Sequence, residues 1–171
     1  MMMDIAAYHE AGHAIACLAN GVEIIKCWIT NTTPTPTGKT EHAIPVYSIV
    51  GERGVTEQTY TAEVEAAYLK TIVIALAGEA AQRRYEPSSL DGDLASGLDG
   101  DRAEVQRLLI CIKGSDDTKG VMLAECKRQA AALIDDEERW KEVQTLAKAL
   151  IHRGCLTGAE VAALLSKQIC P

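Results

Sequence analysis

The stretch Ala6–Ala14, which reads A-A-Y-H-E-A-G-H-A, lies near the beginning of the chain and decides how the rest is interpreted. Apolar and small residues recur around it at helical spacing from Asp4 to Ala19, and an Asn-Gly pair then supplies a stop signal. We therefore predict a first helix over this range. His9 and His13 are four residues apart within it, so both imidazoles lie on one face, one turn apart.

His9, Glu10 and His13 form the pattern H-E-x-x-H, which on a helix supplies two ligands for a zinc ion. The Glu10 carboxylate can take a proton from a water molecule that attacks a peptide carbonyl, and can return it to the leaving amine. An accidental match on a solvated helix face is the alternative interpretation, but the chain has only 4 histidines. We predict a zinc site at His9 and His13, with Glu10 as the general base.

A third metal ligand must come from elsewhere in the chain, because a catalytic zinc ion keeps three protein ligands and leaves a fourth position open. The other two histidines are His42 and His152. Aspartates also crowd the region ahead of a predicted helix, at Asp91, Asp93, Asp99 and Asp101. Sequence spacing alone does not choose among these six residues.

The remaining pattern predicts a mainly helical α+β fold, with a small β hairpin or sheet after the first helix. Strands are predicted over 22–30 and 38–45, and an exposed loop over 46–55. A long core helix is predicted over 56–85, a loop over 88–100, and helices over 101–112, 119–152 and 157–167. Within the last two helices we predict a break near Asp135-Asp136 and a capping box at Thr157–Glu160. We interpret residues 1–171 as a single domain, because 171 residues are too few for two ordinary ones.

Composition excludes several classes of protein. The net charge of -7 argues against nucleic-acid binding, which depends on clustered Lys and Arg. No apolar run approaches the roughly 18 residues of a membrane span, and the first residues have no secretion signal, so we predict a cytoplasmic protein without a membrane segment. The 6 cysteines form no C-x-x-C pair and lie in apolar segments, which predicts buried reduced thiols rather than disulfides.

Several segments of the chain, in the same order, resemble the peptidase domain of the FtsH-type AAA zinc metalloproteases. They are Ala6–Ala14, the G-K-T stretch at 38–40, A-L-A-G-E-A-A-Q at 75–82, S-G-L-D-G-D at 96–101 and L-A-K-A-L-I-H-R-G-C-L-T-G-A-E-V at 146–161. Together they extend along most of the chain, from Ala6 to Val161, although only the first is highly specific. The G-K-T stretch is not a phosphate-binding loop, because the glycine five residues earlier in such loops is replaced by Thr33.

The resemblance implies that Asp101 is the third zinc ligand, because the family's ligand aspartate opens the helix after the long core helix. Two departures leave Asp93 and Asp99 open as alternatives: Gly100 stands where the family often has Asn, and a second D-G-D occurs at 91–93. Asp101 and Glu104 also match a helix capping box, in which Asp101 would bind only backbone N–H groups. Glu79 and Gln82 stand where the family typically has Arg and Glu.

The function implied by the resemblance is that of a zinc-dependent metalloendopeptidase that hydrolyses extended or unfolded polypeptides. The alternative is a zinc-bound, weakly active module that binds peptides or a partner protein. Family members carry a membrane anchor and an ATPase module before the peptidase domain, whereas these residues match neither, so we expect a stand-alone domain. A homo-oligomer and a separate ATPase partner are both compatible with the sequence. Cys27 and Trp28 on the first strand are predicted to pack in the core or at a sheet edge. As the alternative, an exposed edge there could bind an extended peptide by strand addition.

Overall fold

The structure is a computed structural model that describes residues 2–30, 36–51, 54–90 and 98–166, except for the side chains of Leu90 and Leu98. Its elements are α1 (Met2–Ala19), β1 (Ile24–Thr30), β2 (Thr37–His42), α2 (Pro45–Val50), α3 (Ala62–Tyr85), a 3-10 helix (Pro87–Leu90), α4 (Leu98–Cys111), α5 (Asp116–Asp135), α6 (Glu137–Arg153), β3 (Cys155–Thr157) and α7 (Gly158–Ser166). The prediction of a mainly helical α+β fold with a small sheet after the first helix is confirmed.

Helix α1 lies at the centre of the fold, where it packs against α3, α6, β1 and β2. Its small residues let α3 approach closely. A Cβ atom added to Gly12 would lie 2.5 Å from the Ala77 carbonyl oxygen and 2.6 Å from the Ala81 Cβ. Only glycine fits this crossing, and the polar groups of α1 are thereby brought directly against the backbone of α3.

The three strands form one antiparallel sheet in the order β2-β1-β3. Cys27 of β1 lies opposite Thr40 of β2 on one side and opposite Leu156 of β3 on the other. The prediction of core packing is confirmed for Cys27, which is buried, and the alternative of an exposed edge is wrong, because β1 has a partner on both sides. The edges of the described sheet belong to β2 and β3.

Several predicted boundaries differ from the structure for local reasons. Residues 45–50, predicted mostly as a loop, form α2, which begins at a proline whose fixed φ suits a first helical turn and which buries Val46. Helix α3 begins at Ala62 rather than residue 56, because the Thr61 side chain accepts a hydrogen bond from the Val64 N–H and caps the helix there. The loop predicted over 88–100 is also too long, since α4 already begins at Leu98.

The C-terminal part agrees more closely with the predictions. The break between α5 and α6 is confirmed, and the Asp136 side chain caps α6 by accepting a hydrogen bond from the Arg139 N–H. The capping box is also confirmed: the Glu160 N–H donates to Thr157 Oγ1, and the Thr157 N–H donates to Glu160 Oε2. Strand β3 was not predicted.

The cysteines of the described residues are free thiols. Cys17, Cys27 and Cys126 are buried as predicted, and burial raises the pKa of Cys17 and of Cys27 to about 12. The prediction of a buried thiol is wrong for Cys111, which is exposed on α4, and Cys170 lies outside the described residues. No helix in the described ranges combines the length and the apolar composition needed to span a bilayer.

Candidate metal centre

Side chains from two helices converge beside the crossing of α1 and α3. The Nε2 atoms of His9 and His13, on α1, lie 2.9 Å apart, and Asp101 Oδ2, on α4, lies 2.8 Å from the first and 3.2 Å from the second. These three residues form a group that could hold a metal ion. The structure thus brings together the three residues predicted as zinc ligands, while metal binding itself stays a prediction.

Gln82, on α3, fixes the tautomer of His9. The Gln82 Nε2 donates to the carbonyl oxygen of Ser89 at 3.2 Å, so its Oε1 faces His9 Nδ1 at 3.1 Å. An amide oxygen can only accept a hydrogen bond, so His9 Nδ1 must carry the proton and donate. The other ring nitrogen, His9 Nε2, consequently presents a lone pair to Asp101.

The same reasoning applies to His13, whose Nδ1 lies 2.8 Å from the Ile74 carbonyl oxygen and must donate to it. In their neutral forms both rings therefore direct a lone pair at the same carboxylate oxygen. Three acceptor atoms within hydrogen-bond distance of one another repel unless a cation lies between them. Metal-ligating histidines typically have this arrangement, with the second ring nitrogen donating to a carbonyl or carboxylate.

A proton can supply the positive charge in place of a metal ion. Burial alone lowers the pKa of His13, but the Asp101 carboxylate outweighs burial and raises the pKa to about 9. Burial conversely favours the neutral form of Asp101, yet His13 and His9 hold the pKa of that carboxyl well below its usual range. Metal binding at neutral pH must therefore displace a proton from the cluster.

Gly78, in the middle of α3, leaves the space in which the three side chains meet. A Cβ atom at this position would lie 2.4 Å from His13 Nε2 and 2.8 Å from His9 Nε2. Any other residue would therefore fill the cluster. Two imidazoles and a carboxylate around this space fit a three-ligand zinc site with one position open.

Glu10 lies on the same helix and is buried, with an exposed fraction of 5%. It lines a cleft of about 760 Å³ together with His9, His13, Asp101 and residues 38–42 of β2. The volume is in the range of about 300–1,000 Å³ that is typical of ligand pockets. Apolar side chains from α2, α3 and α4, including Tyr47, Tyr68 and Leu108, complete the lining together with Ile44, the N-cap residue of α2.

The other predicted ligands do not join the cluster. Asp99 precedes Asp101 by two residues on α4, about 200° around the helix, and is exposed. His42 lines the cleft, but its Nδ1 lies 2.7 Å from the Ala43 carbonyl oxygen, and His152 is exposed near the end of α6. Asp91 and Asp93 lie outside the described residues.

Asp101 also does not have the capping role that its sequence allows. Helix α4 begins at Leu98, which places Asp101 inside the first turn rather than at the N-cap. Glu104, the other half of the predicted capping box, pairs with Arg107 instead. The neighbouring Arg102 lies 3.5 Å from Glu79 of α3 and forms an ion pair between α3 and α4.

The sequence analysis assigned no role in the site to four residues around the cluster: Gly38, Thr40, Gly78 and Gln82. Gly78 could have been identified, because a glycine inside a strongly predicted helix costs about 1 kcal/mol relative to alanine and often marks a close approach. Gln82 continues the buried stripe of α3, where a polar residue calls for a partner. For Thr40 the sequence carries no such signal.

Comparison with models of known protein families and with curated proteins finds no match to this chain. The functional argument therefore rests on the residues of the site. Three features carry it: the convergence of His9, His13 and Asp101, the fixed tautomers of both rings, and the adjacent Glu10 carboxylate.

Proposed function

We propose that this chain is a zinc-dependent metalloendopeptidase that hydrolyses extended or unfolded polypeptides. The observation that carries the proposal is the cluster itself: His9 Nε2, His13 Nε2 and Asp101 Oδ2 meet in a cleft that Glu10 also lines. Structural zinc sites are usually closed by four ligands, often cysteines. A three-ligand site that opens on a cleft supports catalysis instead.

The three cluster residues would hold the zinc ion, with Gln82 and Ile74 orienting the two rings. Bound there, zinc supplies Lewis-acid chemistry, which polarises a peptide carbonyl and lowers the pKa of water. These two hydrogen bonds matter because mutation of residues that orient metal ligands typically lowers metal affinity or activity by about 10–100-fold. The chain thus offers a set of ligands that is already oriented.

Glu10 has the role of general base and then of general acid. Its carboxylate takes the proton of the water molecule whose oxygen attacks the peptide carbonyl carbon, and it then delivers that proton to the amine that leaves. Glu10 directly follows His9 in α1, and its side chain lines the same cleft as the three cluster residues. Burial of this side chain also limits exchange of the proton with bulk solvent.

The sheet supports an extended polypeptide as substrate. Strand β2 pairs with β1 on one side, and its other side is an edge of the described sheet. Residues 38–42 of this strand line the cleft beside Glu10. A sheet edge binds an extended peptide through main-chain hydrogen bonds, which a folded substrate cannot offer.

The Glu10→Gln variant tests the proposal, because it keeps the size of the side chain and removes its basicity. We expect it to retain stoichiometric zinc by mass spectrometry and to cleave an unfolded, fluorescently labelled polypeptide at least about 100-fold more slowly than the parent chain. Glu125→Gln, which changes an exposed glutamate of α5, is the matched control and should cleave at the parental rate.

Undiminished cleavage by Glu10→Gln would remove Glu10 from the mechanism. Parent protein that takes up no zinc after chelation and reloading would contradict the metal site. Parent protein that binds zinc and the unfolded polypeptide, yet leaves its peptide bonds intact, would favour the alternative of a peptide-binding module.

A further inference from the structure

Cys27 and Thr40 are a directly opposed pair of residues on β1 and β2, and both side chains are buried against Glu10. Thr40 Oγ1 lies 2.9 Å from Glu10 Oε2 and 3.0 Å from the Glu10 backbone oxygen. Cys27 Sγ lies 3.2 Å from the same Thr40 oxygen. Glu10, the general base of the proposed reaction, therefore lies within hydrogen-bond distance of the Thr40 hydroxyl, which in turn contacts the buried Cys27 thiol.

The hydrogens of this group can be assigned by counting donors. The Thr40 hydroxyl has one hydrogen and two acceptors within reach, the carboxylate and the backbone carbonyl of Glu10. Burial raises the pKa of Cys27 to about 12, so its thiol keeps its hydrogen at neutral pH and can donate it to Thr40 Oγ1. With its oxygen satisfied in this way, Thr40 is free to donate to Glu10.

We propose that Thr40 is a positioning residue for the peptidase reaction: its hydroxyl donates a hydrogen bond to the Glu10 carboxylate and thereby orients it. The inference rests on the proposed function, in which Glu10 is the general base. Removing the hydroxyl would leave the buried carboxylate without this donor, so β2 would no longer fix its orientation.

Gly38, at the start of the G-K-T stretch, also contributes to the position of Glu10. Residues two apart on a strand lie on the same face, so Gly38 and Thr40 both face Glu10. A Cβ atom at position 38 would lie 2.6 Å from Glu10 Cγ and 2.9 Å from Glu10 Oε1. Gly38 thus leaves room for the Glu10 side chain, and Thr40 binds the carboxylate of that side chain.

The experiment compares Thr40→Val and Thr40→Ser in the zinc-loaded full chain. Valine keeps the shape and removes the hydroxyl, whereas serine keeps the hydroxyl. We expect Thr40→Val to lower kcat for an unfolded polypeptide by about 10- to 100-fold, the value of a hydrogen bond to a charged group, with KM changed less than about twofold. Thr40→Ser should recover most of kcat. Thr30→Val, which removes a hydroxyl that pairs with Thr37 at the far end of the same ladder, should retain the parental kcat.

Equal kcat values for Thr40→Val and the parent chain, or a Thr40→Ser variant as impaired as Thr40→Val, would overturn the inference. A crystal structure of Thr40→Val supplies a test that does not need activity: we expect the Glu10 carboxylate to turn away from its position in the parent. An unchanged carboxylate would overturn the positioning role even if the parent proves inactive. Loss of the proposed function alone would appear as a parent chain without Glu10-dependent cleavage.

Discussion

The crossing of α1 and α3 and the exposed face of α5 use space in opposite ways. At the crossing, Gly12 and Gly78 have no room for even one more carbon atom. On α5, Gly120 has nothing within 4 Å of its Cβ position, and the ion pair of Glu125 with Arg128 lies on the surface. Both glycines 78 and 120 lie inside helices, so helix propensity alone does not distinguish them.

The difference indicates that the crossing of α1 and α3 combines less apolar burial with the placement of polar side chains. A close crossing of small residues buries less apolar surface than a crossing of large ones, and it also brings polar side chains next to buried backbone carbonyls. His13 reaches the Ile74 carbonyl oxygen only because α3 lies so near. The crossing should therefore be sensitive to added atoms and to pH, whereas the exposed face of α5 should be sensitive to neither.

The largest expected effect comes from Gly78→Ala. The added methyl group would lie within 2.8 Å of both Nε2 atoms, so we expect zinc binding to be lost. Zinc content after reloading and dialysis, measured by mass spectrometry, checks this outcome. Gly120→Ala is the matched control: it should keep full zinc content and raise the free energy of unfolding by about 0.5–1 kcal/mol, because alanine is the better helix former.

Stoichiometric zinc in Gly78→Ala would contradict the contrast between the two glycines. So would loss of zinc in Gly120→Ala, because that residue is far from any contact that the cluster needs.

The second effect is a dependence of stability on pH in the chelated protein. The folded state raises the pKa of His13 from 6.5 to about 9, so this stabilisation is complete below pH 6.5 and is lost as the pH rises to about 9. We expect the free energy of unfolding, measured with denaturant, to fall over this window by an amount on the order of a few kcal/mol. Saturating zinc should reverse the trend, because zinc binds the unprotonated ring.

The control is the corresponding behaviour of the exposed face of α5. The hydrogen bonds that Arg128 donates to Glu125 lower the pKa of Glu125 to about 2 and raise the pKa of Arg128, so this pair keeps its charges from pH 6.5 to 9. Glu125→Gln should therefore leave the slope unchanged, whereas His13→Gln should flatten it. A chelated parent chain whose stability is constant or rises over the window would refute the assignment.

The smallest of the three effects is expected for Gln82→Leu. This change removes the acceptor that fixes His9 and also frees the Ser89 carbonyl oxygen. We expect zinc affinity to fall by about 10–100-fold, or about 1.4–2.7 kcal/mol. Titration with a competing chelator measures the affinity. Gln129→Leu, which changes an exposed glutamine of α5 that binds Glu125, is the control, and equal affinities for the two variants would show that Gln82 does not orient the ligand.

The sequence predicted best the features that depend on neighbours a few residues away. The helical spacing of His9 and His13 placed both rings on one face, and the predicted break near Asp135-Asp136 and the capping box at Thr157–Glu160 marked helix starts that the structure confirms. Each of these depends on contacts three or four residues apart. Only the resemblance implied Asp101, because sequence spacing alone does not give the start of α4, and a shift of two residues decides which side of that helix faces the cluster.

Features that depend on distant partners were missed. Strand β3 has three residues, Cys155–Thr157, too few to show an alternating pattern, and it forms only because β1 offers an edge. Glycines punctuate residues 46–55 and predicted a loop there, whereas α2 forms over 45–50 and buries Val46. The support of Glu10 by Thr40 joins positions 30 residues apart, and no local pattern encodes such a contact.

His9 and Asp101 are 2.8 Å apart in the fold but 92 residues apart along the chain. Contacts of such separation form late, because the intervening loop must be closed before they contribute. A chain in which only α1 to α3 have folded holds two imidazoles, one ligand too few for a catalytic zinc site. On the proposed function, hydrolytic activity would thus arise only once α4 brings Asp101 to the two imidazoles, so a chain that has not reached this point could not cleave other newly made copies.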